Sequence, residues 1–134
     1  MDYKFDVIPS LEDLKNLYSK SKWIKYTKDD NKLIDAFKNS QILITVWKEN
    51  ELVGLLRALT DYNFILYVQD IIVLPEYQCL GIGSNLLNII KDKYSNINQL
   101  VLIADNDKFL EKFYRKNNLI NLNNYSINSY GKIL

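Results

Sequence analysis

An apolar strand that runs into a proline and then two glycines constrains this chain more than any other stretch. Residues Phe64 to Val73 are rich in β-branched and aromatic side chains and read as a buried strand. Pro75 stops it, because proline cannot donate to a ladder. Beyond Gly81 and Gly83, the residues Leu86, Leu87, Ile89, Ile90 and Tyr94 recur at helical spacing, so a helix begins near Gly83 or Ser84. The glycines let the backbone turn between the two elements with no Cβ in the way. A strand, a glycine turn and a helix N-terminus leave several main-chain N–H groups unpaired and directed outward. Together with the helix dipole, such donors form a cup suited to phosphate. Two nucleotide loops do not fit it. Leu86 stands where a dinucleotide loop needs its third glycine, and no Gly-Lys-Ser/Thr follows for a P-loop. On the glycines alone, an ordinary strand-to-helix turn fits as well.

The rest of the chain alternates short strands and amphipathic helices. Tyr3 to Ile8 reads as a first strand ended by Pro9, and Ser10-Leu11-Glu12-Asp13 as a helix start with an N-cap. Leu11, Leu14, Leu17 and Tyr18 give that helix its apolar face. Thr27 and Asp30 have cap spacing before a second helix that carries Leu33, Ile34 and Phe37. The linker between them holds two large aromatics, Trp23 and Tyr26, suited to filling the gap between helices and sheet. Ile42 to Trp47 and Leu52 to Leu59 form a hairpin around Lys48-Glu49-Asn50-Glu51, and Asp61-Tyr62-Asn63 turns into the Phe64 to Val73 strand. Gln99 to Ala104 is short and apolar, hence a central strand covered on both faces. It should run parallel to Phe64–Val73, because a helix crosses over between them. Asp105-Asn106-Asp107 caps a last helix bearing Phe109, Leu110, Phe113 and Tyr114, and Asn118 is suited to ending it. Leu119 to Leu134 has room for two short final strands.

Composition excludes several chemistries. The 134 residues contain no His, which removes Ser-His and Cys-His catalysis and the commonest metal ligand. Cys79 is the sole cysteine, so neither an internal disulfide nor a Cys-rich zinc site can form. No metal site is expected. A formal net charge of +1, with two Arg among seventeen basic residues, gives no nucleic-acid or anionic-membrane surface. No apolar run approaches a membrane span and no signal-type segment opens the chain, so a cytoplasmic protein without a membrane partner is expected. Asn124-Tyr125-Ser126 matches a glycosylation sequon, which carries no weight in that setting.

Taken whole, Val73-x-Pro75-Glu76-Tyr77-Gln78-x-x-Gly81-Ile82-Gly83 resembles the acyl-CoA pyrophosphate loop of the GNAT acyltransferase superfamily, whose pattern is Gln/Arg-x-x-Gly-x-Gly/Ala. The order of elements resembles the family over most of the chain. The resemblance implies one α+β domain over residues 1–134. Its sheet is mixed and mostly antiparallel, with a central parallel strand pair and helices on both faces. The family's last helix usually carries Asn-x-x-Ala-x-x-Phe-Tyr and then Gly-Phe. Phe113-Tyr114 stands intact, Asn106 or Asp107 stands at the Asn position, and Asn118-Leu119 replaces Gly-Phe.

The same resemblance implies an acetyl-CoA-dependent N-acetyltransferase. It would pass an acetyl group to a primary amine of a small molecule or a protein, by direct attack in a ternary complex. Acetyl-CoA is then a co-substrate, held by the main chain of Gln78, Cys79, Leu80, Gly81, Ile82, Gly83 and Ser84 at the pyrophosphate. Ile71, Ile72 and Val73 would lie along the pantetheine arm, with Asn106 and Phe113 as further contacts. Tyr114 takes the place of the acid that protonates the leaving thiolate. Asp70, a carboxylate in an apolar strand, is either the base for the amine or the structural partner of Arg57. Trp23, Tyr26 and Arg57 would line the acceptor side. A homodimer through the last strands is compatible with the resemblance, although no residue demands one. The rival reading is a non-catalytic acyl-CoA-binding module, against which the intact Phe113-Tyr114 argues. An aminoacyl-tRNA-acetylating toxin of the same fold is disfavoured by the near-neutral charge.

Overall fold

The computed structural model describes residues 1–133. In chain order these form β1 (Asp2–Phe5), α1 (Leu11–Lys20), α2 (Asp30–Lys38), β2 (Ile42–Lys48), β3 (Glu51–Thr60), β4 (Ile65–Val73), α3 (Ile82–Lys93), β5 (Gln99–Leu102) and α4 (Lys108–Lys116). The chain divides into two compact units, Met1–Ile103 and the residues from Ala104 onward.

The first unit is one sheet in the order β1-β2-β3-β4-β5. Every neighbouring pair is antiparallel except β4 and β5, which run parallel because α3 crosses over between them. Helices cover both faces. Arg57 and Asp70, paired across β3 and β4, meet Tyr18 of α1 and Phe37 of α2. Gly54 and Val73, three residues further along the same ladder, point the other way and meet Ile82 of α3. Leu14, Leu17, Tyr18, Leu33 and Phe37 therefore fill one face, and Ile82, Leu86, Leu87 and Ile90 fill the other. The mixed α+β architecture expected of the sequence is present, with its parallel pair.

Local chemistry sets the helix starts. Ser10 caps α1 by accepting the Asp13 N–H at 3.1 Å. Asp29, rather than Thr27 or Asp30, caps α2 by accepting the Lys32 N–H at 3.1 Å. Thr27 closes a short 3₁₀ turn, Ile24–Thr27, and donates its hydroxyl to the Ile24 carbonyl. α3 begins at Ile82, one residue before the earliest expected start.

Three expectations are corrected. β1 ends at Phe5 instead of Ile8, because Asp6 turns to φ +58 and leaves the ladder. β5 is a terminal strand of the sheet, not a central one, and Ile103 just beyond it is 69% exposed. The two final strands that would have flanked it do not form among the described residues. Leu122–Tyr125 is instead a 3₁₀ turn, with Asn121 accepting the Asn123 N–H and Ser126 left-handed at φ +60. Asn side chains offer nearby backbone a local partner, which competes with a ladder.

Candidate functional site

One surplus residue in β4 opens a row of main-chain groups. Ala58 pairs with Val68 and Arg57 with Asp70, so Gln69 has no partner and forms a β-bulge. Before the bulge, even-numbered residues face β5, as the Gln99 N–H bond to the Phe64 carbonyl shows, and Ile65 faces β3. After it, even-numbered residues face β3, as the Leu74 N–H bond to the Val53 carbonyl shows. On the β5 side the next residue after Val68 is thus Ile71 rather than Asp70. That is out of phase with the two-residue period of β5, and the parallel ladder stops at Val68–Leu102. Ile71 and Val73 are left with main-chain groups that no β5 residue pairs. Ile72 differs from them: it pairs with Leu55 in the β3 ladder and its side chain is buried.

This open edge leads directly into the glycine loop. A 3₁₀ turn, Pro75–Tyr77, follows Leu74, and Tyr77 anchors it by donating its hydroxyl to Glu51 at 3.1 Å. Gln78 reaches back and donates its side-chain amide to the Val73 carbonyl at 3.0 Å. Cys79 and Gly81 are both left-handed, at φ +62 and +87. Gln78, Cys79, Leu80 and Gly81 are exposed. Gly81 is the N-cap of α3 with no capping side chain, and the first helical bond runs from the Asn85 N–H to its carbonyl. The N–H groups of Ile82, Gly83 and Ser84 consequently lack helical acceptors. Gly54 matters here as well. A Cβ there would stand 3.0 Å from the Ile72 carbonyl, so any other residue would push β3 and β4 apart by a few tenths of an ångström where they pass under α3.

On the opposite face of β4 lies a saturated polar cluster. Asp70 is 0% exposed and Arg57 6%. The Asp70 carboxylate accepts from Arg57 Nε at 2.6 Å, from the Tyr18 hydroxyl at 2.8 Å and from the Tyr26 hydroxyl at 3.1 Å. Arg57 Nη1 donates to Ser40 Oγ, which in turn donates to the Ala36 carbonyl at the end of α2. Tyr26 stacks on Tyr18 with centroids 4.8 Å apart, and Trp23 leans on Tyr26 at 5.7 Å. Both linker aromatics remain half-buried, so they pack on the cluster while keeping an outer surface. Gln69 closes the group by donating Nε2 to the Tyr26 hydroxyl at 3.1 Å.

Burial, and after it the Asp70 carboxylate, pushes the Tyr18 hydroxyl far above the ordinary tyrosine range and raises Tyr26 too. Both are fixed as donors at any working pH. A raised folded-state value means the stabilisation is complete below the unfolded pKa of about 10 and is lost as pH rises beyond it. The melting temperature should therefore fall above about pH 10. Tyr18→Phe should flatten that alkaline limb while lowering stability at pH 7 by about 1–3 kcal/mol, since the carboxylate loses a donor. Melting curves of both proteins between pH 7 and 11 check this.

The second unit holds the remaining predicted residues. Asp107 caps α4, accepting from the N–H groups of Phe109 and Leu110 at 2.7 and 3.1 Å, while Asn106 is exposed. Phe113 and Tyr114 meet edge-on at 5.1 Å. Burial raises the Tyr114 hydroxyl above its usual value. Asn118 is left-handed at φ +62, as expected of a helix end, and the Leu119 N–H bonds to the Tyr114 carbonyl.

Sequence reasoning missed Gln69 and Gly54. The signals were there: a second polar residue beside Asp70 in an apolar run, and a lone glycine inside a strand pattern.

Comparison with known proteins agrees with this geometry. A family model described as the acetyltransferase (GNAT) family matches residues 8–119. An uncharacterized N-acetyltransferase, ycf52, of Porphyra purpurea is 31% identical over 113 residues, covering 80% of this chain and 63% of that protein. The chain spans less than two-thirds of the length of the curated relatives it matches. A GNAT-family acetyltransferase from Streptococcus pneumoniae TIGR4 superposes with a TM-score of 0.86 at 28% identity, covering 99% of this chain and 97% of its own. The aminoglycoside N-acetyltransferase AAC(6')-Iy, solved with CoA, shares the fold at a TM-score of 0.71 and 11% identity, covering 99% of this chain and 91% of that one.

Proposed function

Because the chain belongs to the GNAT acetyltransferase family, we propose that it transfers an acetyl group from acetyl-CoA to a primary amine, by direct attack in a ternary complex. The β4 edge that β5 leaves open, running into an uncapped helix N-terminus, carries this reading. An extended, amide-bearing pantetheine arm can pair with Ile71 and Val73 as an added strand. The pyrophosphate then reaches the N–H groups of Ile82, Gly83 and Ser84, where the helix dipole favours its charge. A main-chain N–H on that edge faces the thioester oxygen as the tetrahedral intermediate forms.

In the step itself the neutral amine nitrogen bonds to the acetyl carbon, the C–S bond breaks, the nitrogen releases one proton to water and the thiolate takes one. Tyr114 is assigned that proton. A tyrosine hydroxyl is protonated near neutrality, and the departing thiolate, whose thiol has a reference pKa near 8.5, accepts a hydrogen bond and then the proton from it, the phenolate being reprotonated from water. Asp70 is assigned a structural role. A carboxylate with three donors and no exposure has no access to an incoming amine.

Calorimetric titration with acetyl-CoA and CoA tests the binding half, and CoA release over a panel of amines and peptides tests the transfer. Tight binding with no acceptor-dependent release from any amine would mean an acyl-CoA-binding module instead. Gly81→Val is expected to fold but to lose at least ~10-fold in CoA affinity. Its Cβ has open space around it, yet φ +87 costs any other residue about 1–2 kcal/mol, and relaxing that strain would turn the loop. Unchanged affinity in this variant would remove the loop from its role.

A further inference from the structure

We propose that Gln69 binds the acceptor amine, its side-chain oxygen taking an N–H of the nucleophile; this rests on the transfer reading above. The orientation of the amide follows from proton counting. The Tyr26 hydroxyl has one proton, and at 3.1 Å from Asp70 Oδ1, which can only accept, that proton is donated there. Toward Gln69 the hydroxyl can then only accept, so Gln69 must present Nε2 to it. Oε1 is turned away. Gln69 Oε1 accepts no hydrogen bond among the described residues, and Ser21 Oγ is the sole side-chain polar atom there both sealed from solvent and without a partner, so Oε1 keeps access to solvent.

Position adds the second half of the argument. Gln69 is the surplus residue of the bulge, immediately before the Ile71–Val73 edge. The residue thus sits on the strand where an acyl group carried along that edge would end. The half-buried Tyr26 meets Gln69 on the helix side, and Trp23 packs on Tyr26. An amide oxygen suits this task better than a carboxylate. A carboxylate within reach of an ammonium stabilises the protonated form and raises its pKa by about 1–3 units, leaving no lone pair for attack. A neutral acceptor orients the N–H and leaves the lone pair free. The nearby Asp70 charge does not spoil this, because Arg57 compensates it. The ligand class is accordingly an amine that keeps at least one N–H.

The experiment uses the full chain saturated with CoA, with n-butylamine as probe and butyltrimethylammonium as a control of equal charge but no N–H. In a ¹⁵N spectrum the Gln69 side-chain amide signals are identified by their disappearance in Gln69→Leu. Butylamine should shift them and the quaternary ion should not. In steady state, Gln69→Leu should raise the acceptor KM about tenfold with acetyl-CoA affinity unchanged. Gln69→Glu should move the alkaline rise of the pH–rate profile up by about one unit, a change that a purely structural residue would not cause. Intact acetyl-CoA binding with no shift on butylamine, or a wild-type KM and pH profile in both variants, would overturn the assignment of Gln69 alone. Failure of the wild-type chain to bind acetyl-CoA would instead overturn the transfer reading, and the Gln69 assignment with it.

Discussion

Asp70→Asn is expected to lower the unfolding free energy by about 3–5 kcal/mol, the scale on which one partner of a buried ion pair is lost. For a chain of this size that is a fall in melting temperature of roughly 10–20 °C. The cause is not the missing bond alone. Arg57, 6% exposed and held between Phe37 and Ser40, would be left as a buried cation with nothing to compensate it. Replacing both members by leucine should recover part of the loss by removing the uncompensated cation, but not all of it, because the buried Tyr18 hydroxyl is left without its acceptor. Melting curves of the two single variants and the double variant measure the coupling. A different outcome would restore Asp70 as a base: a variant with the wild-type melting temperature whose rate deficit disappears as pH rises and the amine deprotonates unaided.

Tyr114→Phe should leave acetyl-CoA affinity within a few-fold while turnover drops by ~10- to 1000-fold, the range of general-acid contributions. The substitution deletes one oxygen and keeps the ring against Phe113, so packing in α4 is preserved. Loss of kcat and kcat/KM together would place the hydroxyl in the transition state rather than in ground-state binding. A wild-type rate on the saturated enzyme would show that the thiolate departs unprotonated or draws its proton from water, and the acid assignment would fall. Steady-state CoA release with a good acceptor, beside CoA titration and a melting curve, separates these results.

How far the fold could be read from residues depended on whether the deciding contact was local. Gly81 was legible because its conformation follows from what it lacks, and φ +87 is the turn its position called for. The caps Ser10 and Asp107 were legible because the N–H groups that donate to them lie three residues away or closer. The place of Gln99–Leu102 at the sheet edge was not. A short run such as Gln-Leu-Val-Leu looks the same whether or not a neighbour follows, and the Asn-rich stretch further down the chain forms a 3₁₀ turn rather than a strand. Asp70 shows the same limit within the site. Its composition-level oddity was visible, but Tyr18 lies 52 positions away, and no periodicity says that three donors will converge on one carboxylate. Gln69 hid for a related reason: a surplus residue cannot be recognised until the strand opposite it is known.

That surplus residue also bears on how such a chain can change over time. The groove along β4 exists because of residue number, not residue type, so its apolar side chains can drift among valine, isoleucine and leucine at little cost to ligand contact. A change of length is another matter. Loss of the codon for Gln69 would leave the Arg57–Asp70 pairing intact, because their register on β3 does not need the extra position. The strand would be regular again, and β5 could extend its ladder past Leu102 and zip the groove shut. Such a deletion would be nearly silent in the core and decisive at the edge. A gap rather than a substitution in this strand is therefore the change expected to close the edge.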